Sequence, residues 1–123
     1  MQRYRSFEAA RGYIGLGMLQ EASEELYEIP VEERKNLSFI KLEIELLLAQ
    51  GVLDQADTLL SAISDTCKRD PEWQYLRARF FARSSNFPEA NRHLMKAIML
   101  DNEPSAQILN HPDLDVIWTW STN

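Results

Sequence analysis

The side chains that could carry out chemistry in this sequence are few, and their spacing does not match the common motifs. His93 and His111 are the only histidines. Their separation of 18 residues fits neither HxxxH nor HExxH, the spacings that bring two imidazoles to one zinc ion. Cys67 is the single cysteine, so an internal disulfide is excluded, and no adjacent base would activate its thiol. We therefore expect His93 to be a partly buried helix residue and Cys67 to be an inert thiol.

Two further patterns for metal or phosphate binding fail. Asp113 and Asp115 begin like a calcium loop, but Ile117 occupies the next ligand position and no glycine follows. The glycine-rich signatures GxGxxG, GxxxxGK[ST] and GxSxG are missing from the sequence. The sequence thus predicts no enzyme, no metal site and no cofactor.

Length and composition are typical of one globular domain. The 123 residues are 45% hydrophobic and 26% charged, and a chain of this length can bury about two thirds of its unfolded surface. The longest apolar run, residues 44–48, is interrupted by Glu45 and is far shorter than a membrane span. Glu8 and Arg11 likewise interrupt what would have to be a signal-peptide core. A cytoplasmic location without membrane attachment is the expectation.

The charge is unevenly distributed along the chain. The net charge of −6 argues against a nucleic-acid partner, since such proteins are usually basic. Residues 1–66 carry 6 Lys/Arg and 12 Asp/Glu, residues 67–96 carry 7 and 3, and residues 97–123 carry 0 and 4. One basic segment therefore lies between two acidic ones.

A period of 34 residues organises the sequence. It relates four sets of residues: Ala22, Ala56 and Ala90; Gly17, Gly51 and Ser85; Leu19, Leu53 and Phe87; Leu26, Leu60 and Leu94. Apolar residues at helical spacing flank each Gly or Ser position, so each period contains two helices and a turn. Gly17 and Gly51 suit the turn because a residue without Cβ readily takes positive φ.

Start signals add detail to the third pair of helices. Asp70-Pro71-Glu72 has an N-cap acceptor followed by proline at the first helical position. Asn86 and Glu89 have the spacing of a capping box before the next helix. Proline at position 112 begins another short helical pattern, with Leu114, Ile117 and Trp118 on one face.

The pattern resembles the tetratricopeptide repeat over residues 2–102. In that family small residues and a turn glycine set the helix packing. Ala10 and Ala78 match the small position of the first helix, whereas Ile44 does not. The three alanines at 22, 56 and 90 match the first small position of the second helix, and Ala97 alone matches the second one. The resemblance implies a right-handed α-solenoid of three hairpins, at about residues 2–34, 35–69 and 70–102. Residues 103–123 look similar to tails that cap such arrays in small bacterial proteins.

The resemblance also implies a binding surface. First helices of tetratricopeptide repeats line a concave groove that holds peptides. Transferred by register, this face comprises Phe7, Arg11, Gly15, Lys41, Glu45, Tyr75, Arg79 and Arg83. Four cations against one anion would suit an acidic peptide or a carboxylate. The asparagines of carboxylate-clamp members are missing, so binding of chaperone C-termini is not implied. An alternative stays open: the arginines pair with local acids such as Glu72 or Asp70.

The resulting functional prediction is a scaffold or adaptor that binds a protein or peptide in this groove. A second reading is a chaperone-like or self-assembling protein that uses exposed aromatic and apolar side chains, with a homodimer as one outcome. A third reading, a small enzyme or its regulatory subunit, has no motif in its favour.

Overall fold

A computed structural model describes the backbone of residues 2–101 and 111–122 and the side chains of residues 5–101 and 111–117. Over these ranges the chain is all-helical and contains no β-strand. The helices are α1 (Gln2–Gly15), α2 (Leu19–Leu26), α3 (Leu37–Gln50), α4 (Leu53–Ala62), α5 (Pro71–Arg83), α6 (Phe87–Leu100) and α7 (Pro112–Thr122), with a 3₁₀ turn at Val31–Glu33. The prediction of an all-α protein is confirmed. Within the described ranges, no helix combines the length and apolar character needed to cross a bilayer.

The chain forms two compact units, Met1–Gln55 and Ala56–Asn123. We call them unit 1 and unit 2. Unit 1 contains α1, α2, the 3₁₀ turn and α3, and unit 2 contains most of α4 together with α5, α6 and α7. Each unit has its own buried apolar cluster.

Unit 1 is built around the alanines and leucines that the sequence periodicity places on inner faces. Its cluster consists of Ala10, Ala22, Leu26, Ile29, Phe39, Leu42 and Leu46. Helix α2 ends at Leu26. Beyond this end Arg34 folds back and donates hydrogen bonds to the carbonyl oxygens of Tyr27 and Ile29. Those contacts satisfy carbonyls that have no partner inside the helix.

Three turns adopt the left-handed conformation at the predicted 34-residue interval. Gly17 has φ of 76°, Gly51 has φ of 77°, and Ser85 has φ of 62°. The prediction for the two glycines is confirmed. Ser85 takes the same conformation despite its Cβ, which for a non-glycine residue is sterically unfavourable.

Unit 2 starts α5 and α6 at the predicted caps. The side chain of Asp70 accepts a hydrogen bond from the backbone N–H of Glu72 at 3.0 Å. Asn86 accepts one from the N–H of Glu89 at 3.4 Å. Each cap satisfies an N–H group that has no partner inside the helix. The unit 2 cluster combines all three later helices: Tyr75, Ala78, Ala82, Ala90, Leu94, Ala97, Leu114 and Ile117.

Candidate functional site: the junction of α5 and α7

The predicted groove residues are divided between the two units. Phe7, Arg11, Lys41 and Glu45 belong to unit 1, and Tyr75, Arg79 and Arg83 belong to unit 2. In unit 1 the Arg11 guanidinium lies over the Phe7 ring at 5.3 Å from its centre, a cation–π contact. Lys41 and Glu45 are half-buried on α3.

The expectation that the unit 2 groove arginines are exposed is wrong for Arg79, and neighbouring Tyr75 is buried as well. Arg79 is only 7% exposed and Tyr75 only 4%. The reason is α7, which packs against both α5 and α6. Arg83 stays more accessible because it lies one turn further along, at the end of α5.

Asp113 is the residue that joins the two arginines. Its Oδ2 accepts a hydrogen bond from Nε of Arg79 at 3.2 Å, and its Oδ1 accepts one from Nη1 of Arg83 at 3.2 Å. The Asp113 side chain is 13% exposed and that of Arg79 is 9% exposed. Water therefore screens this pair little, and each charge needs the other. The sequence left open that Arg79 pairs with a local acid such as Glu72 or Asp70; the ion pair observed here is with Asp113, 34 residues away.

His111 organises the start of α7. Its Nδ1 accepts a hydrogen bond from the backbone N–H of Asp113 at 3.1 Å, as an N-cap side chain does. An accepting Nδ1 carries no proton, so the neutral ring holds its proton on Nε2. Burial lowers the pKa of His111, and the positive charges of Arg79 and Arg83 lower it further, although Asp113 opposes them. The imidazole therefore serves as a neutral acceptor that fixes Asp113 toward α5.

The apolar half of the junction lies beside this ion pair. Leu114 and Ile117 are fully buried, and they pack in the cluster with Ala78, Ala82 and Leu94. Their spacing of three residues puts both on one face of α7. The sequence predicted these two residues as part of a capping tail, and both are buried against residues of α5 and α6. Trp118, the third predicted capping residue, lies outside the described side chains.

The Tyr75 hydroxyl is the polar exception in this cluster. It is buried and makes no hydrogen bond to any other part of the described chain. Burial raises the pKa of Tyr75, and the negative charge of Asp101 adds to the effect. Such an unsatisfied group costs free energy because it gives up hydration without compensation.

A second polar group, centred on His93, was not predicted as a network. His93 is 7% exposed, and its ring stacks on Phe81 at a centroid distance of 5.4 Å. Nδ1 lies 2.6 Å from Oε1 of Gln74, and the amide of Gln74 donates to the Lys68 carbonyl at 3.3 Å. Because the Gln74 amide nitrogen is held by the Lys68 carbonyl, the Gln74 oxygen Oε1 faces the His93 ring. An amide oxygen can only accept, so Nδ1 of His93 is the donor. The remaining nitrogen, Nε2, accepts from Arg92 at 3.3 Å.

Both ring nitrogens of His93 are therefore occupied by protein partners. Burial, together with the nearby charges of Arg92 and Lys96, lowers the pKa of His93 to about 4, so the ring is neutral at pH 7. The described residues contain no group of three or more His, Cys, Asp or Glu side chains that could hold a metal ion. We interpret this network as structural, a bridge between α5, α6 and the loop before α5. No sequence motif signals it, because Gln74 and His93 are 19 residues apart.

Arg77 is a further anchor that the sequence did not single out. Its guanidinium lies 5.3 Å to 5.7 Å from the ring centres of Trp73, Phe80 and Phe81. It also donates to Asp57 at 2.6 Å. Stacking and ion pairing together join α5 to α4 within unit 2.

Unit 1 contains an open depression with a volume of about 700 Å³. Side chains of Phe7, Ile29 and Phe39 contribute its apolar part, while Glu8 and Glu32 contribute acidic groups. Phe7 is thus the predicted groove residue that reaches a concave surface. The charges around it are mainly acidic, in contrast to the basic groove that the sequence predicted.

Comparison with known proteins gives no match: no family model, curated protein or solved structure is significantly similar to this chain. The tetratricopeptide resemblance consequently rests on the 34-residue period of the sequence.

Proposed function

We propose that this protein is an interaction module that binds an acidic, amphipathic helix of a partner protein on the α5 face of unit 2. The observation that carries the proposal is the position of Asp113 between Arg79 and Arg83, with Leu114 and Ile117 buried beside it. Helix α7 of the chain itself is thus an example of the kind of helix that we expect this face to bind. We further propose the tetratricopeptide family and a right-handed solenoid of three hairpins, for which the 34-residue period is the support.

Two features of the junction would select such a helix. Paired arginines favour a carboxylate, because charge-assisted hydrogen bonds contribute about 1.5–3 kcal/mol each. The apolar surface next to them favours large aliphatic side chains one and four residues after that carboxylate. A partner segment with the pattern Asp-Leu-x-x-Ile would make both sets of contacts.

Helix α7 is then the resident occupant, which a partner has to replace. A tethered segment competes with an effective concentration in the millimolar range. Free ligand therefore binds the intact protein weakly, and binding strengthens when the contacts of α7 are weakened. The remaining predicted groove residues, Phe7, Arg11, Lys41 and Glu45, belong to unit 1 and are not part of this proposed site.

The test is a fluorescence anisotropy titration of a labelled peptide with the sequence of residues 111–122 into the full-length chain. We expect the Asp113→Asn chain, and more so the Asp113→Asn/Ile117→Ala chain, to bind the peptide at least tenfold more tightly than wild type. A peptide carrying Asp113→Lys should bind at least tenfold more weakly. Binding should also weaken as salt is raised from about 0.1 M to about 1 M.

A matched control is Val116→Ala, because Val116 lies on the same helix but is 44% exposed. This chain should bind the peptide like wild type. Circular dichroism of each chain establishes that helicity is retained. If folded chains with weakened α7 contacts do not bind the peptide, or bind the Asp113→Lys peptide equally well, the proposal is wrong.

A second candidate function is self-assembly or chaperone-like binding through apolar surface. Large exposed side chains favour it, among them Met99 at 81% and Leu16 at 74% exposure. Isolated exposed apolar residues are ordinary on protein surfaces. This candidate therefore depends on whether Met99 belongs to a larger surface patch on α6.

A further inference from the structure

The solvent side of α6 carries two methionines that alternate with two cations. Arg92, Met95, Lys96 and Met99 follow the spacing i, i+3, i+4 and i+7, which places them on one helix face. Met95 is 37% and Met99 is 81% exposed. We call these four residues the α6 face. The opposite side of the same helix holds Ala90, His93, Leu94 and Ala97, which are all buried.

This pattern is not that of an ordinary solvated helix face. Outer positions of a surface helix are usually polar or charged, but here two of the four are flexible thioethers. Methionine adapts its shape to an opposing surface, which is why it is common at binding sites. Arg92 is paired with Glu89 at 2.8 Å; its hydrogen bond lowers the pKa of Glu89, and the charge of Lys96 also helps to lower it. The α6 face therefore combines two exposed thioethers with an exposed positive charge at Lys96.

The depression in unit 1 has the complementary character. Phe7, Ile29 and Phe39 offer aromatic and aliphatic surface. The charged lining is three glutamates, Glu8, Glu32 and Glu33, against the single lysine Lys35, so the depression is acidic on balance. Its volume of about 700 Å³ lies within the usual range for binding pockets, about 300–1,000 Å³. An occupant that inserts apolar side chains and presents a cation would satisfy both features.

We propose that the α6 face of one molecule docks into the unit 1 depression of a second copy of this chain. Met95 and Met99 would enter against the aromatic side chains, and Lys96 would face Glu8 and Glu32. Charge complementarity points to a second copy, because residues 1–66 hold 12 acidic and 6 basic side chains while residues 67–96 hold 3 and 7. The contact joins different surfaces, so each copy uses both of them, in a reciprocal dimer or in a longer series.

This inference is independent of the proposed peptide binding, because it uses neither the junction arginines nor α7. Loss of one activity leaves the other intact. The measurement is sedimentation velocity on the full-length chain from about 5 µM to about 500 µM, a range that covers weak protein contacts. We expect the average mass to rise with concentration, and Lys96→Glu or Glu32→Lys alone to weaken association at least tenfold.

The decisive sample is an equimolar mixture of the Lys96→Glu and Glu32→Lys chains. Each chain alone places like charges at positions 96 and 32 in every contact. In the mixture, the α6 face of the first meets the depression of the second with opposite charges restored, and the reverse pairing is wild type. Association should therefore return to the wild-type level on mixing. Met99→Gln should weaken association without any such rescue, because it removes the apolar contact.

Matched controls are Glu24→Lys and Lys68→Glu, which make the same charge changes at exposed positions outside both surfaces. They should associate like wild type, and circular dichroism should be unchanged for every chain. A protein that stays monomeric up to about 500 µM overturns the proposal. Association that ignores both single charge reversals, or that fails to recover in the mixture, also overturns it.

Discussion

Arg79 on α5 and Asp113 on α7 are joined by a hydrogen bond of 3.2 Å between two side chains that are 34 residues apart in the sequence. The separation equals the 34-residue period, but α7 does not continue the register, because it begins at Pro112 and a helix 34 residues after Pro71 would begin at residue 105. The pair is largely sheltered from water. Its position determines whether the arginines of α5 are a free binding surface or part of the protein's own framework.

Replacing Asp113 with asparagine should lower the free energy of unfolding by about 1–3 kcal/mol, since Arg79 would keep its charge in a sheltered place without a carboxylate. Urea denaturation followed by circular dichroism measures the change. Asp115→Asn is the control, because Asp115 is exposed on the same helix turn. Its effect should stay within about 0.5 kcal/mol. Equal midpoints for the two variants would contradict a stabilising role of the Arg79–Asp113 pair.

Tyr75→Phe should leave stability unchanged or raise it by up to about 1 kcal/mol, because the substitution removes a buried hydroxyl that has no hydrogen-bond partner in the described chain. Tyr27→Phe is the matched comparison. The Tyr27 hydroxyl donates to Glu43 at 2.6 Å, and its loss should cost about 0.5–1.5 kcal/mol. Thermal melts of both variants provide the measurement. A clear loss of stability in Tyr75→Phe would show that its hydroxyl is satisfied after all.

The buried His93 ring should make stability depend on pH. Its pKa in the folded protein is about 4, below the ordinary value of 6.5. Below pH 6.5 the unfolded chain therefore binds more protons at this residue than the folded chain does. The contribution of His93 is complete above pH 6.5 and is lost progressively as the pH falls toward 4.

Urea midpoints between pH 7 and pH 4.5 measure this loss, and His93→Gln should show a smaller fall than wild type over the same interval. Because the pKa of His111 is also lowered, part of the fall should remain in that variant. An NMR titration of the imidazole signals identifies each ring separately. A His93 midpoint near 6.5 in the folded protein would contradict the burial seen here.

Ala56→Arg should destabilise the protein, because Ala56 is completely buried and the side chain would bring both volume and charge into a closed space. Overpacking alone costs about 1–3 kcal/mol, and burial of the charge adds to this. Ala62→Arg, an exposed position on the same helix, is the control. A similar urea midpoint for the two variants would mean that the 34-residue period does not mark core positions.

The helices and their ends were largely determined by local sequence. Asp70, Pro71 and Asn86 act through neighbours only two or three residues away, and Gly17 and Gly51 act through their own backbone freedom. Alanine and leucine periodicity placed the buried faces, including Ala56 and Leu94, because burial follows helical spacing. Such short-range rules predicted the all-α class and the starts of α5 and α6.

Long-range packing decided the character of the candidate site. Register alone placed Arg79 on a binding face, and no local rule could show that Asp113 lies against it from a helix 30 residues beyond the end of α5. Whether a charged residue is free or paired depends on which helices pack together. Here α7 packs on α5 and α6 because that arrangement buries Leu114 and Ile117. The same reason explains the His93–Gln74 bridge. The sequence by itself determined which residues form each helix and which side of it is apolar, while tertiary packing decided which of its charges remain available to a partner.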